Sequence, residues 1–388
     1  MSPEARGQLP ELTSTRFLAA MVVMLGHFGL FIAPPDWIAP MLGGYGVSFF
    51  FVLSGFILTY RYWDDFAQGV QLTAYWRYFV ARIARVYPSY VLALVLITVL
   101  YLAIRHLRPG AIEFPGNAAV SWITNLLALQ TFARSSATQQ NWNGPAWSIS
   151  TEFCFYALCP IILAMIAHRG LKGRGLLAVL GATVAFGAVM QVILLVLVIR
   201  HGWDRWFWLE LVASRNFFWR VPEFMVGVVA ARLWFGGHVA WLARPGPRNA
   251  LLAAGLAGLA LLNYAPWPPD TEETAWLINR HFRLDLGYMV PFACIVLALA
   301  AGPTFASPLL RRPAFVFLGE ISYGIYIYHW IFWTALGHGR AAGLALTPTL
   351  VTGVVVLTIL FAAASYTWYE RPARLFIRRK FAQRGPGP

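Results

Sequence analysis

Leu12-Thr-Ser-Thr-Arg16-Phe-Leu-Ala-Ala-Met-Val-Val-Met-Leu-Gly-His27-Phe28 begins the first long apolar run of the chain, and it holds two groups that such a run does not ordinarily tolerate. Between Phe17 and Ala33 the only ionisable side chain is His27. A run of this length and composition reads as a membrane-spanning helix. Arg16 and His27 are eleven residues apart, which at 100° per residue is about three turns plus roughly 20°. Both side chains therefore lie on one face, about 16 Å apart along the axis. An arginine in the apolar layer costs roughly 2.5–3.5 kcal/mol on insertion scales, so the pair reads as a functional site. The plainer alternative is an Arg16 that snorkels to the interface and a His27 that is packed and hydrogen-bonded.

The remainder of the chain has the same character. Its 388 residues are 59% hydrophobic and 12% charged, with a mean hydropathy of +0.60. A soluble domain carries about twice that charge, so the composition excludes a large soluble core and indicates a polytopic membrane protein. The net charge is +14, almost all of it arginine, since Lys172 and Lys380 are the only lysines. These charges are scattered between apolar spans rather than gathered on one face, which argues against a nucleic-acid partner. The bilayer accounts for them better, because basic residues hold loops on the cytoplasmic side. Cys154, Cys159 and Cys294 all fall in apolar spans and read as small buried hydrophobes. No His/Cys/Asp/Glu spacing suggests a metal site. The first helix reads as a retained anchor, because cleavage near Ala33 would remove His27.

Ten stretches have the length needed to cross a bilayer, several interrupted by Gly or Pro: 14–33, 42–60, 83–104, 148–168, 176–200, 216–235, 249–264, 285–301, 315–337 and 346–369. Segment 64–82 reads as amphipathic and interfacial, and 120–133 as a short re-entrant or interfacial piece. The expected fold is an all-α polytopic membrane protein of about ten transmembrane helices. It forms a single domain, 1–388, with a core over 12–372 and a basic cytoplasmic tail over 373–388. With the N-terminus inside, nineteen of the 30 basic residues fall on the inner side and ten on the outer, with Arg16 in the first span. That excess places both termini in the cytoplasm. Acidic residues lean outward, with Asp270, Glu272, Glu273 and Asp285 near one outer loop. The chain shows no internal repeat, which argues against transporter folds built from inverted halves.

Further polar groups sit where lipid is expected. Gly43-Gly-Tyr-Gly-Val-Ser-Phe-Phe-Phe-Val-Leu-Ser54-Gly55-Phe56-Ile-Leu58 supplies small surfaces for close helix approach. Arg82 and Arg85 lie on one face at the start of the third span, ahead of Pro88. They serve either as a positive-inside anchor or, with Arg16, as a phosphate-binding cluster. Trp142-Asn-Gly-Pro-Ala-Trp147-Ser-Ile-Ser-Thr-Glu152 enters the fourth span, and Glu152 is an acid in the apolar region that needs a partner, with His27 and Arg16 as candidates. Ser322, Tyr326 and His329 recur at i, i+4 and i+7 along the ninth span, one polar stripe on a helix face. Glu370-Arg371-Pro372 ends the last span.

The ordered set LTSTRFLAAMVVMLGHF, GYGVSFFFVLSGFIL, RIARVYPSY, WSISTEFCFY, LGEISYGIYIYH and YERP resembles the membrane-bound acyltransferase family 3, from residue 12 to about 372. The resemblance implies a ten-helix core and transfer of an acyl group, commonly acetyl from acetyl-CoA, to hydroxyls of carbohydrates or of macrolide-type natural products. It also implies a multi-pass protein of the inner, or plasma, membrane. Many members carry a C-terminal SGNH hydrolase-like domain, and this chain reads as a stand-alone member.

Acyl transfer from a thioester is limited by the alcohol's poor nucleophilicity, which a neutral imidazole relieves by accepting its proton. His27 suits that role, with Glu152 as its acidic companion in the catalytic set. Arg16 stays protonated and cannot act as base. It is expected, with Arg82 and Arg85, to hold the phosphates of acyl-CoA, the donor substrate. Trp147, Tyr323, Tyr326 and His329 are the expected acceptor-binding positions. The partners are then acyl-CoA, a carbohydrate or glycosylated acceptor and the lipid bilayer. A proton-coupled permease or flippase would use a similar relay of His, Arg and Glu, and turnover of acetyl-CoA separates the two.

Overall fold

The computed structural model describes residues 7–32, 39–114, 117–133, 135–204, 207–208, 214–264 and 287–381. Every regular element among them is helical. They are α1 (Pro10–Gly29), α2 (Ala39–Phe66), α3 (Leu72–Leu107), α4 (Ala118–Leu126), α5 (Ser136–Gln140), α6 (Trp147–His168), α7 (Gly173–His201), α8 (Phe217–Phe235), α9 (Pro245–Tyr264), α10 (Met289–Ala300), α11 (Ser307–Leu310), α12 (Pro313–Ala341), α13 (Pro348–Ser365) and α14 (Arg371–Phe381). The ten apolar stretches fall on α1–α3, α6–α10, α12 and α13. Five helical stretches, Pro10–Gly29, Leu72–Leu107, Gly144–His168, Gly173–His201 and Pro348–Phe381, are long and apolar enough to cross a membrane on length and composition. The acidic outer loop around Asp270 and Asp285 and the end of the basic tail lie outside the described residues.

One segment differs from expectation in an informative way. Residues 72–82 are not a separate interfacial piece, because α3 runs unbroken for 36 residues from Leu72. No Gly or Pro stands between Leu72 and Tyr87 to stop it, and Pro88 is accommodated as a buried residue inside the helix. Segment 120–133 is a nine-residue helix, α4, capped by Asn117, followed by a 3₁₀ turn over Gln130–Phe132. Ala128, with φ of 54°, breaks the helix between them.

The chain divides into two compact units. The first comprises Met1–Ala19, Gly44–Gln71 and Cys154–Glu320, and the second Ala20–Gly43, Leu72–Phe153 and Ile321–Pro388. In the first unit, Phe49, Val52 and Phe56 of α2, Val226 and Ala230 of α8, Leu252 of α9 and Phe292, Val296 and Leu299 of α10 share one apolar core with Leu12 of α1. The small residues read from the second span act where α2 crosses α8. A Cβ added at Gly55 would lie 2.0 Å from the Phe224 carbonyl oxygen, and one added at Gly227 would lie 1.9 Å from that of Val52. The start of α1 is clamped by α11 and the chain after it. Ser14 donates to the Leu310 carbonyl at 2.5 Å, and Glu11 accepts from Arg311 at 2.5 Å and from Ser307 at 2.9 Å.

In the second unit, Leu94, Ile97 and Tyr101 of α3 pack with Trp142, Trp330 and Ile331. Gly324 of α12 faces Ala362 of α13, where an added Cβ would meet the alanine Cβ at 3.1 Å. Tyr328 and Ser365 share a hydrogen bond of 2.8 Å across the same pair of helices. The chain then widens into one π-turn over Tyr366–Glu370 before α14, a helix that carries Arg371, Arg374, Arg378, Arg379 and Lys380 and buries no residue.

The two glycine contacts meet backbone atoms, which no rotamer change relieves. Gly55→Ala is therefore expected to destabilise the protein by at least the roughly 1–3 kcal/mol typical of overpacking. Thermal unfolding of the detergent-solubilised variant measures it, and a wild-type melting temperature would show that α2 and α8 separate without penalty.

Candidate active site

His27 lies in the last turn of α1, and helix α12 brings His329 to it. Nδ1 of His27 and Nε2 of His329 are 3.0 Å apart, with ring centroids 5.1 Å apart and planes inclined by 27°. His329 is fully buried, and its Nδ1 has no hydrogen-bond partner among the described residues. One turn further along α12, Trp333 donates its indole N–H to the His27 carbonyl oxygen at 2.9 Å. That bond satisfies a backbone acceptor at the helix terminus and fixes the end of α1 against α12. Trp330 meets the His27 ring edge to face, with centroids 5.4 Å apart at 82°.

The stretch from Trp142 to Ser150 is stitched to the same face of α12. Tyr326 donates to the Pro145 carbonyl at 2.7 Å and shares a hydrogen bond of 2.8 Å with Ser148. Asn143 donates to the Ile327 carbonyl at 3.0 Å. From the other side, Gln130 donates to the Ala146 carbonyl at 2.8 Å, and Thr131 and Ser150 share a bond of 2.7 Å. Tyr90 donates to the Asn125 carbonyl, which ties α3 to the end of α4. Thus Tyr326, expected at the acceptor site, orders the chain that leads into α6. Trp147 is the first residue of α6 and is half-buried.

A second polar centre lies in the same unit. Arg85 and Glu370 form an ion pair of 2.5 Å, with Glu370 almost fully buried, and Ser89 donates to the other Glu370 oxygen at 3.1 Å. Arg85, read as a phosphate ligand, therefore has a counter-ion within the protein, supplied by the π-turn that ends α13. Tyr323 is buried, and its hydroxyl lies within the reach of the charges of Glu152 and Glu370. Glu152, in the second turn of α6, and Arg82, on α3, are both half-buried. Arg16 lies in the part of α1 that belongs to the first unit, whereas His27, Arg82, Arg85, Glu152, Tyr323, Tyr326 and His329 belong to the second.

The structure thus brings together His27 with His329, Tyr326 with the start of α6, and Arg85 with Glu370. Sequence reading did not anticipate Trp330 and Trp333, although they stand at i+1 and i+4 from His329 and continue its stripe. Nor did it pair Glu370 with Arg85, although an acid closing an apolar span signals that a cation lies nearby.

The sequence as a whole agrees with these motifs. The model of the acyltransferase 3 family, described as an acyltransferase domain, matches residues 9–367. The chain belongs to the acyltransferase 3 family. It is 26% identical to the acyltransferase MdmB of Streptomyces mycarofaciens over 98% of this chain and 96% of that protein. It is 24% identical to the O-acetyltransferase OatA of Staphylococcus aureus over 94% of this chain and 57% of OatA, so it spans little more than half of that relative. No solved structure matches it. The protein is a membrane acyltransferase on the strength of its family and its apolar helices.

Removing one partner of a buried ion pair leaves an uncompensated charge, at a cost of roughly 3–5 kcal/mol, whereas replacing both with apolar residues is often near neutral. Glu370→Leu is therefore expected to lower thermal stability strongly, and Arg85→Leu/Glu370→Leu to recover most of the loss. Melting curves of the two single variants and the double variant check this. Additive losses would mean that the pair is not energetically coupled.

Proposed function

We propose that this acyltransferase moves an acyl group, acetyl in the first instance, from acyl-CoA to a hydroxyl of a carbohydrate or glycosylated acceptor. The observation that carries the reading is the His27–His329 contact at one end of α1, with Arg16 on the same helix eleven residues earlier. The name of OatA, an O-acetyltransferase, supports transfer to oxygen.

A hydrogen bond between two imidazoles has one proton on its axis, so the tautomers of the two rings are linked. In the proposed arrangement the proton on that axis belongs to His27, and His329 Nε2 is the acceptor. His27 Nδ1–H then donates to that nitrogen, and the basic lone pair of His27 lies on Nε2. In the reaction, this lone pair takes the acceptor's hydroxyl proton while the oxygen attacks the thioester carbonyl. The tetrahedral adduct collapses, the C–S bond breaks, and the CoA sulfur leaves with the proton held by His27. His329 orients the base, and Glu152 completes the proposed catalytic set. Arg16, with Arg82 and Arg85, binds the donor's phosphates, and Arg85 does so while paired with Glu370.

The excess of basic residues on one side supports cytoplasmic termini for the ten spans in the inner membrane. Arg16 then lies toward the cytoplasm, where acyl-CoA is available, and His27 lies deeper.

The direct experiment is turnover of radiolabelled acetyl-CoA by purified protein in bilayers, with and without an acceptor. His27→Ala is expected to reduce transfer by about 10²-fold or more, in line with loss of a general base, while folding persists. Activity within a few-fold of wild type in a folded variant would refute the catalytic role.

Arginine binds phosphate bidentately, whereas lysine offers a point charge. Arg16→Lys is therefore expected to raise KM for acyl-CoA and leave acceptor KM nearly constant. Unchanged donor KM and kcat, with the two substrates varied separately, would reduce Arg16 to an interfacial anchor.

A further inference from the structure

Helix α14 follows the last apolar span and carries five cations in eleven residues, Arg371, Arg374, Arg378, Arg379 and Lys380. Among the described residues no carboxylate pairs with any of them, and no acid follows Glu370 in the described chain. This sets them apart from Arg85, Arg220 and Arg311, each of which faces a glutamate. Arg371, Arg374 and Arg378 stand at i, i+3 and i+7, within about 60° of one another on the helix. Phe376 lies about 140–160° from each of the three.

The side that carries Phe376 is apolar and only partly covered. Ala373 and Ile377 are half-buried, whereas Phe376 is 60% exposed. Leu375 and Phe381 add further exposed apolar surface. The Lys380 ammonium stands 5.5 Å from the ring centroids of both Phe376 and Phe381, a cation at the border of this surface.

The helix is fixed at both ends. It begins directly after Glu370, which pairs with Arg85 of α3, and it ends where Trp76 of α3 donates its indole N–H to the Phe381 carbonyl at 3.1 Å. It also completes one helical stretch, Pro348–Phe381, that is long and apolar enough to cross a bilayer. Its cations therefore begin where the apolar part of that stretch ends. Trp368, 78% exposed, and the exposed Tyr369 stand just ahead of them, and both are residue types that lie at the headgroup level of a membrane.

One short helix thus presents cations without a counter-ion and exposed aromatic and aliphatic surface. Water suits the first and not the second, and hydrocarbon the reverse. The surface of a leaflet supplies both, with phosphates above the ends of the acyl chains. We propose that α14 is a docking site for anionic phospholipid in the leaflet where α13 ends. Headgroup phosphates lie across Arg371, Arg374 and Arg378, with Arg379 and Lys380 at the flanks, and the Phe376 side meets acyl chains. The planar fork of arginine suits a phosphodiester. A zwitterionic headgroup carries its own cation, which competes with the arginines for the phosphate, and an anionic headgroup does not. The site therefore selects lipids by net headgroup charge. This inference goes beyond acyl transfer and does not depend on it.

The test uses full-length protein in nanodiscs of phosphatidylcholine, alone or with about 30 mol% phosphatidylglycerol, and follows amide hydrogen exchange over residues 371–381. With phosphatidylglycerol, exchange is expected to slow by about fivefold or more at about 0.05 M salt, and the difference to shrink at about 0.5 M, where screening is stronger. Helix α4, which has no charged residue, is the internal control and is expected to keep one rate in both lipids. Arg374→Gln/Arg378→Gln/Arg379→Gln is expected to exchange alike in both. Equal exchange of wild-type α14 in the two lipids would overturn the proposal. Equal slowing of α14 and α4 would also refute it, as a general effect of the bilayer. Slowing by CoA or inorganic pyrophosphate in phosphatidylcholine, with none from phosphatidylglycerol, would replace the lipid with a soluble polyanion. A triple variant that keeps the wild-type response would remove the headgroup from these arginines. If that variant fails to insert, the lipid and salt comparison on wild-type protein decides.

Discussion

A hydrogen bond between two uncharged imidazoles requires one proton, a fixed line of centres and two rings held from outside. The 3.0 Å contact between His27 and His329 meets these demands through neighbours that have little chemistry of their own. Trp333 holds the backbone of His27, Asn143 reaches the backbone of α12 at Ile327, and Tyr326 anchors the Pro145 turn to the same helix. Tyr326, expected to bind acceptor, is thus part of the scaffold around the proposed base. A polar group in an apolar layer finds no water to satisfy it, so each one recruits the next, and a catalytic residue in such a layer is embedded in a chain of hydrogen bonds.

The same constraint governs the charged residues. Among the described residues, Arg85 pairs with Glu370, Arg311 with Glu11, and Arg220 with Glu223. Arg220 lies in the first turn of α8, buried against Glu223 and over the ring of Phe51. Such pairs offer little net stabilisation. Their effect is to prescribe which helices adjoin. A Glu370 placed anywhere but opposite Arg85 and Ser89 would be a bare carboxylate in an apolar medium. These pairs thus specify neighbours that apolar side chains, all alike to lipid, leave undetermined.

How far the sequence discloses this varies with the range of the interaction. Spans are local, and each apolar stretch read from composition falls on a helix. The shared face of Arg16 and His27 follows from helical periodicity, as does the stripe of Ser322, Tyr326 and His329. The close approach at Gly55 was legible as a cluster of small residues, although its partner, Gly227, was not. What escapes is pairing across long separations. His27 and His329 each stood out alone, and nothing in the intervening 300-odd residues says that their rings meet. Glu152 needed a partner in the apolar layer, and local spacing does not choose between His27 and Arg16. The 72–82 segment escaped for a different reason. Its amphipathic pattern is what the exposed first turns of a long helix show, and periodicity does not distinguish that from an interfacial piece.

The spacing of Arg16 and His27 has an electrostatic rationale in the proposed reaction. When the base accepts the acceptor's proton it becomes an imidazolium, and any fixed cation nearby raises the barrier. Two unit charges repel by about 4 kcal/mol at 4 Å and an effective dielectric of 20, and by about 1 kcal/mol at 16 Å. An arginine adjacent to the base would thus forfeit about 3 kcal/mol, more than a hundredfold in rate. Yet the donor's phosphates need a cation, and desolvating them deep in an apolar layer is costlier still. Both demands are met when phosphates and arginine stay at one end of α1, and the neutral pantetheine arm carries the thioester toward the other. The length of one helix segment then sets how far the donor's charge stands from the proton in flight. That separation, more than the identity of the acceptor, is what an Arg and a His eleven residues apart on one helix face would be selected to maintain.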